Sequence, residues 1–148
     1  MSDTLSGLLV MSDGTVVRGV GGGAPGLAVG ELVFQTGMVG YQEALTDPSY
    51  AGQILIFTYP LVGNYGVGEL ANQSARVHPR AVISHRLMAG SGHRSTTHNL
   101  DEMLRAQGVP ALHGVDTRFL TRRVRTHGVV PAALAVRPDA ELPGEEEL

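Results

Sequence analysis

Residues 54–59, ILIFTY, decide the fold, because four consecutive apolar residues are followed by Thr58 and Tyr59. A short run rich in β-branched and aromatic side chains is typical of a central strand buried on both faces. Directly before it, residues 40–53 (GYQEALTDPSYAGQ) concentrate polar side chains between glycines. The pattern predicts a sheet whose central strand is entered from a polar turn.

The N-terminal part of the sequence predicts a β-hairpin. Residues 8–11 (LLVM) and 15–20 (TVVRGV) have strand character and are separated by SDG, in which Asp13-Gly14 supplies the positive φ of a tight turn. The chain therefore opens in β structure.

A third strand follows a glycine-rich segment. Residues 21–26 (GGGAPG) are expected to interrupt the chain as a loop. Alternation resumes in residues 30–38 (GELVFQTGM) and places Leu32, Phe34 and Met38 on one face. This segment is predicted to be a strand.

Two helices are predicted in the second half. In residues 99–108 (NLDEMLRAQG), Asn99 is the N-cap, Glu102 occupies the capping-box position and Gly108 is the stop. The second helix, in residues 116–128, begins at a cap on Asp116 or Thr117 and ends at Gly128. Its last turn contains His127, and its apolar stripe is formed by Phe119, Leu120 and Val124.

Strands predicted around the helices complete the fold class. Residues 80–84, 109–115 and 129–136 have strand character, and the last two flank the second helix. We expect one domain over residues 1–137, of mixed α+β class, with a β-rich first half followed by helix–strand units. Residues 138–148 are expected to be an acidic tail or linker.

Composition excludes several classes of function. Fourteen acidic residues against eleven basic ones give a net charge of −3, which provides no general attraction to nucleic acid. The absence of cysteine excludes disulfides, thiolate metal sites and a cysteine nucleophile in this chain. No apolar run approaches the roughly 20 residues of a membrane helix, so we expect a soluble, cytoplasmic chain.

Three patterns that can indicate ligand binding are weak here. Gly21, Gly23 and Gly26 have the G-x-G-x-x-G spacing of dinucleotide sites, but a strand pattern follows instead of a helix. Histidines occur in pairs seven and five residues apart without recognised ligand spacing: His78 with His85, and His93 with His98. Arginines that crowd the second helix fit phosphate binding, an acidic protein partner or a solvated face: Arg118, Arg122, Arg123 and Arg125.

The polar segment before the central strand is the stronger candidate. In residues 46–49 (TDPS), Pro48 fixes φ and the Ser49 hydroxyl is displayed by a turn. Two interpretations remain open from this local chemistry: Ser49 contacts a ligand, or Asp47 caps the turn and Ser49 is merely solvated.

Motifs along most of the chain resemble one family. The resemblance is carried by four motifs: GYQE, LTDPSY, TYP followed by GNYG, and DTRFLTRRVRTHG. These motifs resemble the N-terminal domain of the small subunit of glutamine-dependent carbamoyl-phosphate synthase. The resemblance implies a swivelling β/β/α-type fold without a catalytic residue, in which Ser49 contributes to the glutamine site.

The family also implies what lies outside this chain. Its catalytic cysteine belongs to a glutaminase domain of the same subunit, which passes ammonia to a large subunit that uses ATP and magnesium. We therefore expect no cofactor in this chain, and as partners the glutaminase domain and the large subunit, in a ligase of pyrimidine or arginine biosynthesis. The alternative is a free-standing interaction module of the same fold without a role in glutamine binding.

Overall fold

The computed structural model describes residues 5–35, 45, 47–58, 76–85 and 104–138, and the fold is given for these residues. They form seven strands, one α-helix and a 3-10 helix, and residues 104–106 are also helical. The bounds are β1 Leu5–Met11, β2 Val16–Gly23, β3 Gly26–Gln35, the 3-10 helix Pro48–Tyr50, β4 Gln53–Phe57, β5 Ala81–Ile83, β6 Pro110–His113, α1 Thr117–His127 and β7 Pro131–Pro138.

The strands close into a barrel in the order β1-β2-β6-β5-β4-β3-β7, with β7 returning to β1. Strands β3, β4, β5 and β6 are parallel to one another, and the other pairs are antiparallel. These directions define a lower end, where β3 to β6 begin and where β2 and β7 finish. The upper end is the opposite one, where α1 connects β6 to β7.

The central-strand prediction is confirmed for residues 54–57 in β4, whereas Thr58 follows the strand and Tyr59 lies outside the described residues. Strand β4 pairs with β3 on one side and with β5 on the other. Its alternate residues enter two different apolar clusters: Ile54 and Ile56 belong to the barrel interior, whereas Leu55 and Phe57 belong to a cluster on the outer face. Both faces are buried, which explains the nearly continuous apolar run.

Several other sequence predictions are confirmed. The hairpin of β1 and β2 turns at Gly14, which has φ +93°. The strands predicted near residues 80–84, 109–115 and 129–136 are β5, β6 and β7. For the first predicted helix, residues 104–106 are helical and Gly108 has φ +73°, as a helix stop requires. Residues 99–103 lie outside the described part, as does Met38.

The loop predicted over residues 21–26 is confined to Ala24 and Pro25, so its predicted bounds are wrong. Strand β2 continues to Gly23 and β3 already starts at Gly26. The reason is steric: a Cβ on Gly19 would lie 2.6 Å from Val115 Cγ1, and one on Gly21 would lie 2.8 Å from Val136 Cγ1. These glycines therefore face the barrel interior and leave room for side chains of other segments.

The second helix begins and ends as predicted, but its apolar stripe differs. Asp116 accepts a hydrogen bond from Phe119 N at 3.0 Å, and Gly128 is the C-cap. Phe119 is 41% exposed, so its assignment to the buried stripe is wrong. The buried residues recur at helical spacing: Thr117, Leu120, Thr121 and Val124.

The fold as a whole is a mixed α+β structure dominated by its sheet, as the sequence predicted. Its more specific assignment as a swivelling β/β/α fold stays a prediction. The division into residues 1–137 and 138–148 also stays a prediction; strand β7 runs through Pro138, and residues 139–148 lie outside the described part.

Candidate functional site

The site predicted from the sequence is the turn of residues 46–49, of which Thr46 lies outside the described residues; we call residues 47–52 the Ser49 turn. Asp47 Oδ1 accepts a hydrogen bond from Ser49 N at 3.0 Å, and Pro48 occupies the first turn of the 3-10 helix. Tyr50 N donates to Asp47 O at 3.1 Å. The side chain and the backbone of Asp47 together fix the turn, and Ser49 is exposed on it.

The Ser49 turn is anchored to the barrel by the residues that follow the serine. Tyr50 packs on the outer apolar cluster, and its hydroxyl accepts a hydrogen bond from Gln35 Nε2 at 3.3 Å. Gly52, with φ +82°, leads into β4, and its carbonyl oxygen would lie 2.5 Å from a Cβ on Gly30. Only glycine at position 30 allows β3 to approach the turn this closely.

The hydrogen bonds of the turn also set the charge beside Ser49. The pKa of Asp47 is lowered, chiefly by the Ser49 backbone N–H, then by the Ser49 hydroxyl, and to a smaller extent by the charge of His78. A lowered pKa makes the Asp47 carboxylate a weaker base. The turn can therefore present a hydroxyl for hydrogen bonding, and Asp47 is poorly suited to activate Ser49 as a nucleophile.

This geometry is consistent with both interpretations left open by the sequence, a ligand contact by Ser49 and a solvated Ser49. Asp47 caps the turn and Ser49 is exposed, so the turn by itself does not distinguish a ligand contact from a solvated serine. The contact between Tyr50 and Gln35 was not anticipated from the sequence, because the two residues lie on different elements.

The other candidate residues that the structure describes are spread over different parts of it, and His93 and His98 lie outside the described residues. Gly21 and Gly23 lie on β2 and Gly26 begins β3, so this glycine pattern does not open a helix. Among the described residues, no group of three or more histidine, aspartate and glutamate side chains is placed to hold a metal ion. No helix in this part is long and apolar enough to cross a membrane.

Two of the four arginines on α1 have partners within the domain. Arg123 Nη2 donates to Asp13 Oδ2 at 2.6 Å, and the Arg125 guanidinium lies 5.4 Å from the centroid of the Phe34 ring. Arg118 and Arg122 are exposed. The helix therefore does not present its four arginines as one converging cluster.

Comparison with known proteins identifies the family. Residues 9–134 match the family model for the carbamoyl-phosphate synthase small chain, CPSase domain. The carbamoyl phosphate synthase small chain of Methanosarcina mazei is 47% identical over 135 residues, which cover 91% of this chain and 37% of that protein. For the protein of the same name in Symbiobacterium thermophilum, the identity is 44% over 93% of this chain and 38% of the relative.

Other relatives agree at the level of the family. A protein of Lactiplantibacillus plantarum named carbamoyl phosphate synthase pyrimidine-specific small chain is 42% identical, over 88% of this chain and 36% of its own length. Among solved structures, an aminopeptidase from Aneurinibacillus sp. strain AM-1 aligns with a TM-score of 0.48 at 15% identity, covering 93% of this chain and 31% of the other, which carries no argument about function. The chain thus spans little more than a third of the length of the curated relatives named here, and it belongs to the carbamoyl-phosphate synthase small chain family, within the CPSase domain.

Proposed function

We propose that this chain is the non-catalytic N-terminal domain of the small subunit of a glutamine-hydrolysing carbamoyl-phosphate synthase. In this proposal Ser49 contributes a hydroxyl to a glutamine site that a glutaminase domain of the same subunit completes. The observation that carries it is the exposed Ser49, held on a capped turn, in a chain that belongs to this family.

The chemistry of the chain supports a binding role. Hydrolysis of the glutamine side-chain amide through a covalent intermediate needs an activated nucleophile, and this chain contains no cysteine. Asp47, the carboxylate hydrogen-bonded to Ser49, has a lowered pKa and is therefore a weak base for activating the serine. A hydroxyl that donates or accepts one hydrogen bond can still orient glutamine for attack by a nucleophile on another domain.

The topology supports a site shared with a following domain. The Ser49 turn directly precedes β4 and thus lies at the lower end of the barrel. Strand β7 is antiparallel to β3 and ends at the same lower end. Any domain that follows β7 is therefore attached at the end of the barrel that carries Ser49.

The remaining partners follow from the same proposal. The small subunit docks on a large subunit, which receives ammonia and joins it to bicarbonate with two ATP molecules. In this arrangement the ATP and magnesium sites belong to the large subunit, and the present domain contributes surfaces for assembly.

The proposal is tested by Ser49→Ala in the complete small subunit assembled with the large subunit. One hydrogen bond contributes about 0.5–1.5 kcal/mol, so the KM for glutamine should rise about 2- to 10-fold. Ser12→Ala is the matched control, because Ser12 is also exposed in a turn but lies at the upper end. An unchanged KM for glutamine in the Ser49 variant would remove this residue from the site.

Two variants of Asp47 separate contact from positioning. Asp47→Asn keeps an oxygen that can accept from Ser49 N, whereas Asp47→Ala removes it. If the turn positions Ser49, the KM for glutamine rises in Asp47→Ala and stays close to that of the parent in Asp47→Asn. An equal rise of the KM for glutamine in both variants would show that the carboxylate acts by its charge and not as the cap.

A further inference from the structure

A basic groove of about 490 Å³ lies at the lower end of the barrel, next to the Ser49 turn. Its walls are the start of β3, residues 51–52 of the Ser49 turn, residues 76–80, and residues 108–110. The groove is thus built by four segments that are distant in sequence.

The charged side chains among the described lining residues of the groove are all basic. Arg76, His78 and Arg80 line it, and no aspartate or glutamate is among its described lining residues. Both arginines are exposed, and neither takes part in the ion pairs found among the described residues, which join Asp13 to Arg123 and to His127. The groove therefore offers two guanidinium groups to an anionic ligand.

The backbone of residues 76–80 is fixed by hydrogen bonds to three other segments. His78 N donates to Leu45 O at 2.8 Å, and Arg80 N donates to Gln53 O at 2.8 Å. Val77 N donates to Gln107 Oε1 at 2.7 Å. The basic side chains are thus carried by an anchored segment, which lowers the entropic cost of binding there.

The last described strand, β7, ends beside this groove. Val136 of β7 pairs with Gly26 of β3, and Gly26 is one of the groove residues. The sequence that follows β7, residues 139–148, contains five acidic residues and no basic one: Asp139, Glu141, Glu145, Glu146 and Glu147. Ten residues can extend over about 33–36 Å, so these carboxylates can reach Arg76 and Arg80.

We propose that the acidic segment of residues 139–147 binds in the basic groove of its own domain. The charges are complementary, and the segment starts at the wall of the groove, so its local concentration is high. An exposed ion pair contributes only about 0.2–1 kcal/mol, and the segment therefore needs several pairs and binds in a salt-dependent way. This inference does not depend on a role of Ser49 in glutamine binding.

The test measures the distance between segment and groove in the full chain. Because the chain contains no cysteine, Gly144→Cys provides a single attachment point for a nitroxide label. At low salt, the label should reduce the NMR intensities of the Gly52, Val77 and His78 amides at least twofold. The intensities should recover when the salt concentration is raised or when the label is reduced.

Charge reversal identifies the contacts. Arg76→Glu combined with Arg80→Glu should abolish the effect of the label, whereas Arg118→Glu with Arg122→Glu should leave it intact. The control pair carries the same change of charge on exposed residues of α1, at the upper end. Neutralising residues 145–147 by Glu→Gln tests the same contact without a substitution in the barrel.

Two outcomes would overturn the proposal. The first is the absence of any effect of the label on the groove amides at low salt. The second is an effect that survives both the reversal of Arg76 and Arg80 and the neutralisation of residues 145–147. Titration with inorganic phosphate provides a further check: shifts of the groove amides by phosphate without any effect of the label would assign the groove to a free anion instead.

Discussion

Asp13 connects the turn between β1 and β2 to helix α1. Its Oδ1 accepts from Thr15 N at 2.9 Å, and its Oδ2 accepts from Arg123 Nη2 at 2.6 Å and Nε at 3.1 Å. These contacts lower the pKa of Asp13 from 3.8 to about 2, through the Thr15 hydroxyl and N–H first and Arg123 next. The Asp13 side chain is 18% exposed, so the surrounding water still screens part of the interaction.

The lowered pKa of Asp13 predicts a stability that depends on pH. A group with a folded pKa below its unfolded value stabilises above the unfolded pKa, and this contribution is lost as the pH falls from about 4 to about 2. With allowance for screening, Asp13→Asn should lower the free energy of unfolding by about 1 kcal/mol at pH 7. Urea unfolding of the parent and the variant at pH 7, 4 and 2.5 measures this difference.

The result at low pH is the decisive part of that measurement. The stability difference between the two proteins should become small near pH 2, because Asp13 is then about half protonated in the folded parent and almost fully protonated in the unfolded chain. A difference that remains as large at pH 2.5 as at pH 7 would contradict the assignment to the carboxylate charge. When Arg123→Gln is also present, Asp13→Asn should lower the free energy of unfolding by less at pH 7, since one partner of the carboxylate is already absent.

Strand β2 shows why an element can be misread from its composition. Glycine normally interrupts strands, and the segment GGGAPG was therefore predicted to be a loop. In the barrel, Gly19 and Gly21 face the interior, and along β2 they alternate with Arg18, Val20 and Gly22. The spacing of these glycines can be read from the sequence, but the reason for it cannot. Glycine is needed because the side chains of Val115 and Val136 lie against positions 19 and 21, and they do so only in the closed barrel.

Gly19→Ala is expected to destabilise the barrel. The added Cβ would lie 2.7 Å from the carbonyl oxygen of His113, which belongs to the backbone and cannot rotate away. Overpacking of this kind typically costs about 1–3 kcal/mol. Gly26→Ala is the matched control, because its Cβ would meet nothing within 4 Å, and its effect should stay within about 0.5 kcal/mol.

Thermal unfolding of both variants tests the packing argument. If Gly19→Ala is as stable as Gly26→Ala, the interior of the barrel has more room near β2 than the structure indicates.

In helix α1, the two ends are determined by local sequence, whereas the buried face is determined by packing on the barrel. Its cap at Asp116 and its stop at Gly128 were predicted, because both depend on neighbouring backbone groups. Its buried face was predicted with Phe119, which is 41% exposed and lies with its ring centroid 5.7 Å from the Arg123 guanidinium. Hydrophobicity alone favours burial of phenylalanine, whereas the rotation of the helix on the barrel placed Thr117 and Thr121 inside.

At the scale of the whole molecule, the strands were predicted but their order was not. Runs of apolar residues identify β4, β5, β6 and β7, yet the neighbours of each strand depend on pairing between distant segments. The candidate site was predicted as a turn with an exposed Ser49 because Asp-Pro-Ser is a local signal. The basic groove was not predicted, since Arg76 and Arg80 meet β3 and residues 108–110 only in the folded barrel.

The proposed function assigns glutamine hydrolysis to the glutaminase domain, so this chain alone is expected to release no ammonia from glutamine. The chain has no cysteine, and the lowered pKa of Asp47 makes it a weak base for Ser49. An ammonia assay of the purified chain should therefore equal the buffer blank, while the complete small subunit with its glutaminase domain should be active. Glutaminase activity that follows the chain through purification and is lost in Ser49→Ala would show that Ser49 reacts with glutamine instead of only binding it.

The closed ring of strands has a consequence for assembly. Each of the seven strands formed by the described residues has a hydrogen-bonded neighbour on both sides. Among the described residues, no whole strand is therefore left as an open β-edge to which a partner protein could add a strand of its own. Recognition of these strands by another subunit is expected to use side chains on the surface of the barrel and segments at its two ends, and edge-to-edge aggregation through them is disfavoured for the same reason.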